Sequence, residues 1–162
     1  MTIATTNQVF IGASGEIHVV YAGQYIDPSY LPWIAPVQTS AQLLASAQAA
    51  KIELLSVAYA NAITQPVSYT SKSGMAETYQ ADSNSQSNLM KELAVYQSAG
   101  ATPTGYYWVA ANNTQVPFTL ADLQGLAAAM GAQEWQAFQH LQTLKASVSS
   151  GTTVTAVQAI VW

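Results

Sequence analysis

Three of the six prolines, Pro28, Pro32 and Pro36, fall within residues 1–38, and no helical period runs through that stretch. A proline disfavours helical geometry in the residue before it, so Tyr25-Ile26-Asp27-Pro28-Ser29-Tyr30-Leu31-Pro32-Trp33 has to be extended. Ahead of it, Val9-Phe10-Ile11, Gly12-Ala13-Ser14-Gly15 and Glu16–Tyr21 read as strand, turn and strand. From Thr39 the texture changes. Ser40 is placed to cap a helix running to about Ile63 and stopping before Pro66. Leu43, Ala47, Ala50, Leu54 and Val57 form one apolar stripe along it, and Ile52, Leu55, Tyr59 and Ile63 form an adjacent one.

The rest of the chain alternates hairpins and helices. Ser71-Lys72-Ser73-Gly74 separates two strand-like runs, and Asp82 or Ser83 is placed to cap a helix from about Ser85 to Ser98, closed by Gly100. Ala111-Asn112-Asn113-Thr114 turns a second hairpin, with Pro117 marking an edge strand. Thr119-Leu120-Ala121-Asp122 resembles a capping box. The helix after it runs to about Val148, with Leu123, Leu126, Met130, Phe138, Leu141 and Val148 in period. Gly131 lies inside it and is suited to a close crossing, while Trp162 is expected to tuck into the core. The fold class is therefore α+β: two to three long helices, two short β-hairpins and an N-terminal β/extended arm. The division falls between residues 1–38, a β-hairpin with an extended Pro/aromatic docking arm, and residues 39–162, a helical domain with hairpins.

Composition narrows the function. Only 7% of residues are charged, there is no arginine, and the formal net charge is −4. Nucleic-acid binding requires clustered Lys and Arg, so it is not expected, and arginine forks on phosphate are impossible. No apolar run approaches the roughly 18 residues of a spanning helix, and the first residues lack the pattern of a signal peptide. A chain with so little charge to keep copies apart suits life inside an assembly. Without cysteine there are no disulfides and no thiolate chemistry.

No catalytic set emerges. His18 and His140 lack ligand partners at metal spacing, Asp82 and Asp122 sit where helix caps are expected, and Glu53, Glu92 and Glu134 read as solvated helix faces. Gly12–Gly15 has neither the following helix of a phosphate loop nor the spacing of a serine elbow. The protein is expected not to be an enzyme and to need no cofactor or metal. Aromatic side chains are the better candidates. Tyr21, Tyr25, Tyr30, Leu31 and Trp33 are candidate protein-interface residues, and Tyr106 and Trp108 are candidate receptor or interface aromatics.

Several short motifs occur in order: Tyr79-Gln80-Ala81-Asp82, Asn88-Leu89-Met90, Tyr107-Trp108, Gln115–Leu123, His140–Lys145 and Thr155–Trp162. Together, over about residues 45–162, they resemble an uncharacterised C-terminal domain of tailed-bacteriophage tail-fibre and tail-assembly proteins. The resemblance brings no catalytic residues. It implies a structural component of a phage tail, at the fibre or baseplate end, docking by its N-terminal region onto a neighbouring tail protein. A homo-oligomer is implied as well, with a trimer among the symmetric options, made in the host cytoplasm and carried in the virion. The alternatives are a tail-fibre assembly chaperone and a glycan-binding receptor module.

Overall fold

The computed structural model describes residues 2–33 and 37–162; Pro36, one of the prolines invoked above, lies outside the described residues. The chain forms two compact units, Met1–Thr39 and Ser40–Trp162.

The first unit is a three-stranded antiparallel sheet of β1 (Gln8–Ile11), β2 (Ile17–Val20) and β3 (Leu31–Pro32), ordered β2-β1-β3. The Pro-rich segment thus contributes an edge strand as well as extended chain, and an edge tolerates Pro32 because no ladder donor is required on its open side. Phe10 and Val20 point to one face and, with Ala4, make a small core against which Ile26 and Tyr30 are half-buried. The segment before β1 is tied in by Ala4 N–H to Gln24 O (2.9 Å) and Gly23 N–H to Ala4 O (2.8 Å).

The second unit contains α1 (Ser40–Ala62), β4 (Val67–Thr70), β5 (Ala76–Tyr79), α2 (Ser83–Ala99), β6 (Tyr107–Val109), β7 (Gln115–Pro117), α3 (Leu120–Ser150) and α4 (Val154–Gln158). It is α+β, with three long helices and two antiparallel hairpins, β4-β5 and β6-β7. Local chemistry sets most boundaries. Asp82 caps α2 by accepting from Asn84 N–H and Ser85 N–H, and Gly100 ends it in the left-handed region at φ 80°. Ser40 is itself the first helical residue of α1, so the cap position falls one residue earlier than the sequence suggests.

Two cores share α3. Its N-terminal half packs Leu123, Leu126 and Met130 against Val67, Tyr79, Leu89, Val116 and Phe118 from both hairpins and α2. Its C-terminal half packs Leu141 and Val148 against Leu55 of α1 and Val157 of α4. At 31 residues α3 is about 46 Å long, enough to reach both. No helix among the described residues is long and apolar enough to cross a membrane.

Packing corrects four expectations from the sequence. On α1 the second stripe, with Ile52, Leu55 and Tyr59, faces α3 and α4, joined from the first stripe by Ala47 alone. Leu43, Leu54 and Val57 of the first stripe are exposed, Leu54 by 62%. On α3 the buried position is Ala137, while the bulkier Phe138 points outward and stacks on Trp135 with ring centroids 5.7 Å apart. Trp162 is 39% exposed and rests edge-on against His140 instead of entering the core. A Cβ on Gly131 would meet nothing within 4 Å, so no close crossing occurs there; the tight approach is at Gly125, under the Tyr69 ring.

Asp122 joins the first core to the start of α3. Its carboxylate is fully buried and completes the capping box by accepting from Thr119 N–H (2.8 Å) and Thr119 Oγ1 (2.6 Å). It also accepts from Lys72 N–H (2.6 Å) in the β4–β5 turn and from the Tyr69 hydroxyl (3.2 Å). Burial pushes its pKa up, but the bonds from Thr119, Lys72 and Tyr69 outweigh burial and hold it below the usual aspartate value. Tyr79 is the opposite case. Its buried hydroxyl has no hydrogen-bond partner among the described residues, and burial, reinforced by Glu77 and Asp122, pushes its pKa up to about 12. Tyr79→Phe is therefore expected to raise unfolding stability by about 1 kcal/mol, since an unmade buried hydrogen bond costs more than an apolar replacement. Urea unfolding tests this; a loss of similar size would mean that the hydroxyl is satisfied in solution.

Candidate functional site

The first candidate surface is the outer face of the N-terminal sheet. Side chains alternate across a strand, and the register places Val9 opposite Val19, and Ile11 opposite both Ile17 and Leu31. Trp33 donates its N–H to Val9 O at 3.0 Å, so it continues the same row. All of these side chains lie on the face opposite Phe10 and Val20. Ile17 is 62% and Leu31 68% exposed, and Val9, Val19 and Trp33 are exposed as well. An apolar patch spanning three strands, on the unburied side of a sheet, is the kind of surface that marks an interaction site.

The interface residues named from sequence divide accordingly. Leu31 and Trp33 belong to this face, and Tyr21 and Tyr25 are exposed beyond the strands. Tyr30 packs inward: it stacks on His18 (4.5 Å between centroids) and lies 6.2 Å from Phe10. Val9, Ile17 and Val19 share a face only through the register of β1 with β2, which local sequence does not set. His18 accounts for itself locally, with Nε2 3.0 Å from Glu16 Oε1.

The second surface is a groove of about 680 Å³ between α2 and β6. The two hairpins are joined by hydrogen bonds from Ala111 N–H to Thr78 O (2.8 Å) and from Asn112 Nδ2 to Glu77 Oε2 (3.0 Å), and α2 leaves from the end of β5. The groove lies between that helix and β6. Its strand wall runs from Gly105 to Val109, and its other wall carries Gln80, Asn88, Lys91 and Glu92.

Tyr106 and Trp108 both line it, yet each is also structural. Trp108 stacks on Phe118 (6.4 Å), and Tyr106 meets Tyr96 edge-on (5.0 Å). Tyr107 points to the other side of β6 and is exposed. Glu92 is half-buried instead of lying on a solvated face. It sits beside the Tyr96 and Tyr106 phenols, whose pKa values are raised by burial first and by the Glu92 charge second.

Backbone groups complete the groove. Ala110 N–H donates to Thr114 O and Phe118 N–H to Tyr106 O. In an antiparallel ladder bonded and non-bonded pairs alternate, so Trp108 of β6, with Tyr106 and Ala110 at its two ends, makes the bonds across the hairpin. Tyr107 and Val109 consequently turn their N–H and C=O away from β7, toward the groove. Pro117 pairs with Tyr107 at a non-bonded position, so its missing N–H costs the ladder nothing.

Among the described residues no three His, Asp or Glu side chains gather where they could hold a metal ion. Comparison with curated proteins and with solved structures gives no match. A family model does match, over residues 46–161, which takes in most of α1 and every later helix and strand. The chain belongs to the family described as domain of unknown function (DUF4376).

Proposed function

We propose that this protein is a structural component of a bacteriophage tail, at its fibre or baseplate end, joined to a neighbouring tail protein through its N-terminal unit. The observation that carries the docking role is the contiguous apolar face of Val9, Ile17, Val19, Leu31 and Trp33, left open on a sheet whose other side is already filled. Burying apolar area of this kind is the main favourable term in most association. The tail itself is suggested by the ordered motifs between Tyr79 and Trp162. The protein works by assembly, with no catalytic step and no cofactor. The exposed α1 stripe of Leu43, Leu54 and Val57 supports contact between copies, as in a symmetric homo-oligomer.

The test uses Ile17→Asp combined with Leu31→Asp, two exposed positions whose change leaves the small core of Phe10 and Val20 intact. Virions from a phage carrying the variant are purified and their proteins identified by mass spectrometry. The wild-type chain is expected in the particle and the variant absent from it. Wild-type chain missing from finished particles would overturn the structural role and mark an assembly chaperone instead. Variant chain present at wild-type copy number would overturn the docking face.

A further inference from the structure

We infer that the groove between α2 and β6 is a binding site for a neutral oligosaccharide. This goes beyond the docking role, because the groove and the apolar face share no residue. Sugars present hydroxyls that donate and accept at once, on rings whose C–H faces are apolar. A site for them needs side-chain and backbone groups of both polarities beside an aromatic surface.

The groove offers that combination. Gln80 and Asn88 are exposed, and each carries a donor and an acceptor in one plane. Tyr107 and Val109 add backbone N–H and C=O turned away from β7. Trp108 and Tyr106 supply ring surface that the core already holds in place, so little ordering is required on binding. The volume of about 680 Å³ falls inside the roughly 300–1,000 Å³ of typical ligand sites.

Charge argues for a neutral ligand. Lys91 and Glu92 are the charged residues lining the groove, and their charges cancel. No positive field favours a phosphate or an acidic sugar. An extended peptide adding to the β6 edge is disfavoured because β6 has three residues, of which only Tyr107 and Val109 present backbone groups to a partner. Strand addition draws its affinity from a longer row of such bonds.

The test titrates full-length, isotopically labelled protein with maltohexaose, chitohexaose and mannohexaose. An acidic polysialic oligomer and an extended alternating Thr/Val heptapeptide serve as competitors, and amide shifts locate the binding. At least one neutral sugar is expected to shift Gln80, Asn88 and the Gly105–Val109 amides. Gln80→Ala with Asn88→Ala is expected to weaken that binding about tenfold, the loss of one or two hydrogen bonds, with the unfolding midpoint unchanged. The proposal is overturned if no neutral sugar shifts these amides, if the acidic oligomer or the peptide binds there more tightly, or if the double variant binds undiminished.

Discussion

Asp122→Ala is expected to destabilise the Ser40–Trp162 unit by about 3–5 kcal/mol, the scale seen when a buried charge and its partners are separated. The effect is large because the carboxylate serves two elements at once. It closes the start of α3 through Thr119 and anchors the β4–β5 hairpin through Lys72 N–H and the Tyr69 hydroxyl. Alanine removes the acceptor of all four hydrogen bonds at once, and each donor left unsatisfied costs about 1–3 kcal/mol. Urea titration followed by far-ultraviolet circular dichroism measures it. A change under about 1 kcal/mol would show that the hairpin and helix are held together by packing alone.

The same carboxylate gives the protein an acid limit. The folded pKa of Asp122 lies below its ordinary value of about 3.9, and that of Asp82 is lowered by its Ser85 and Asn84 hydrogen bonds. A depressed folded pKa means that the unfolded chain takes up the proton first. The stabilisation is therefore fully present above the unfolded value and is lost as the pH falls through the folded one. Wild-type stability should decline below about pH 4, and the Asp122→Ala variant should show a shallower decline over the same range.

The second large effect is a difference in sign between two glycines of one helix. Gly→Ala inside a helix is ordinarily worth about 1 kcal/mol of added stability. At Gly131 a new Cβ meets nothing within 4 Å, so Gly131→Ala should realise most of that gain. At Gly125 the Cβ would lie 2.7 Å from Cε2 and Cζ of Tyr69 and against its hydroxyl. The ring is not free to retreat, since it bonds to Asp122 and packs on Tyr79 and Phe118. Overpacking of that kind costs about 1–3 kcal/mol, enough to cancel the helical gain and leave Gly125→Ala destabilised. Paired thermal melts decide it, and stabilisation by both substitutions would mean that the Tyr69 contact yields without cost.

The features legible in the sequence are those governed by neighbours along the chain. Thr119 with Asp122, Asp82 before α2, Gly100 after it and the two hairpin turns all act within a few residues, and the structure places them as their chemistry requires. What escaped depends on partners far away in sequence. Two apolar stripes run along α1, and only the arrival of α3 and α4 decides that Leu55 goes inside and Leu54 stays out. The outer sheet face needs Leu31 laid beside Ile11, twenty residues earlier by number, before it exists. Glu92 looks solvated until Tyr106 comes beside it, and the groove exists only once α2 and β6 face each other. In Asp122 the cap was readable, but the donors from the β4–β5 turn were not.

The outer face of the N-terminal sheet has a thermal consequence. Its strand residues Val9, Ile17, Val19 and Leu31 carry no charge, so a contact closed over them owes little to Coulomb attraction and little is screened away by added salt. Apolar association instead weakens on cooling and is reinforced by excluded salts such as sulfate. A joint made through this face would tolerate wide swings in ionic strength and loosen first in the cold.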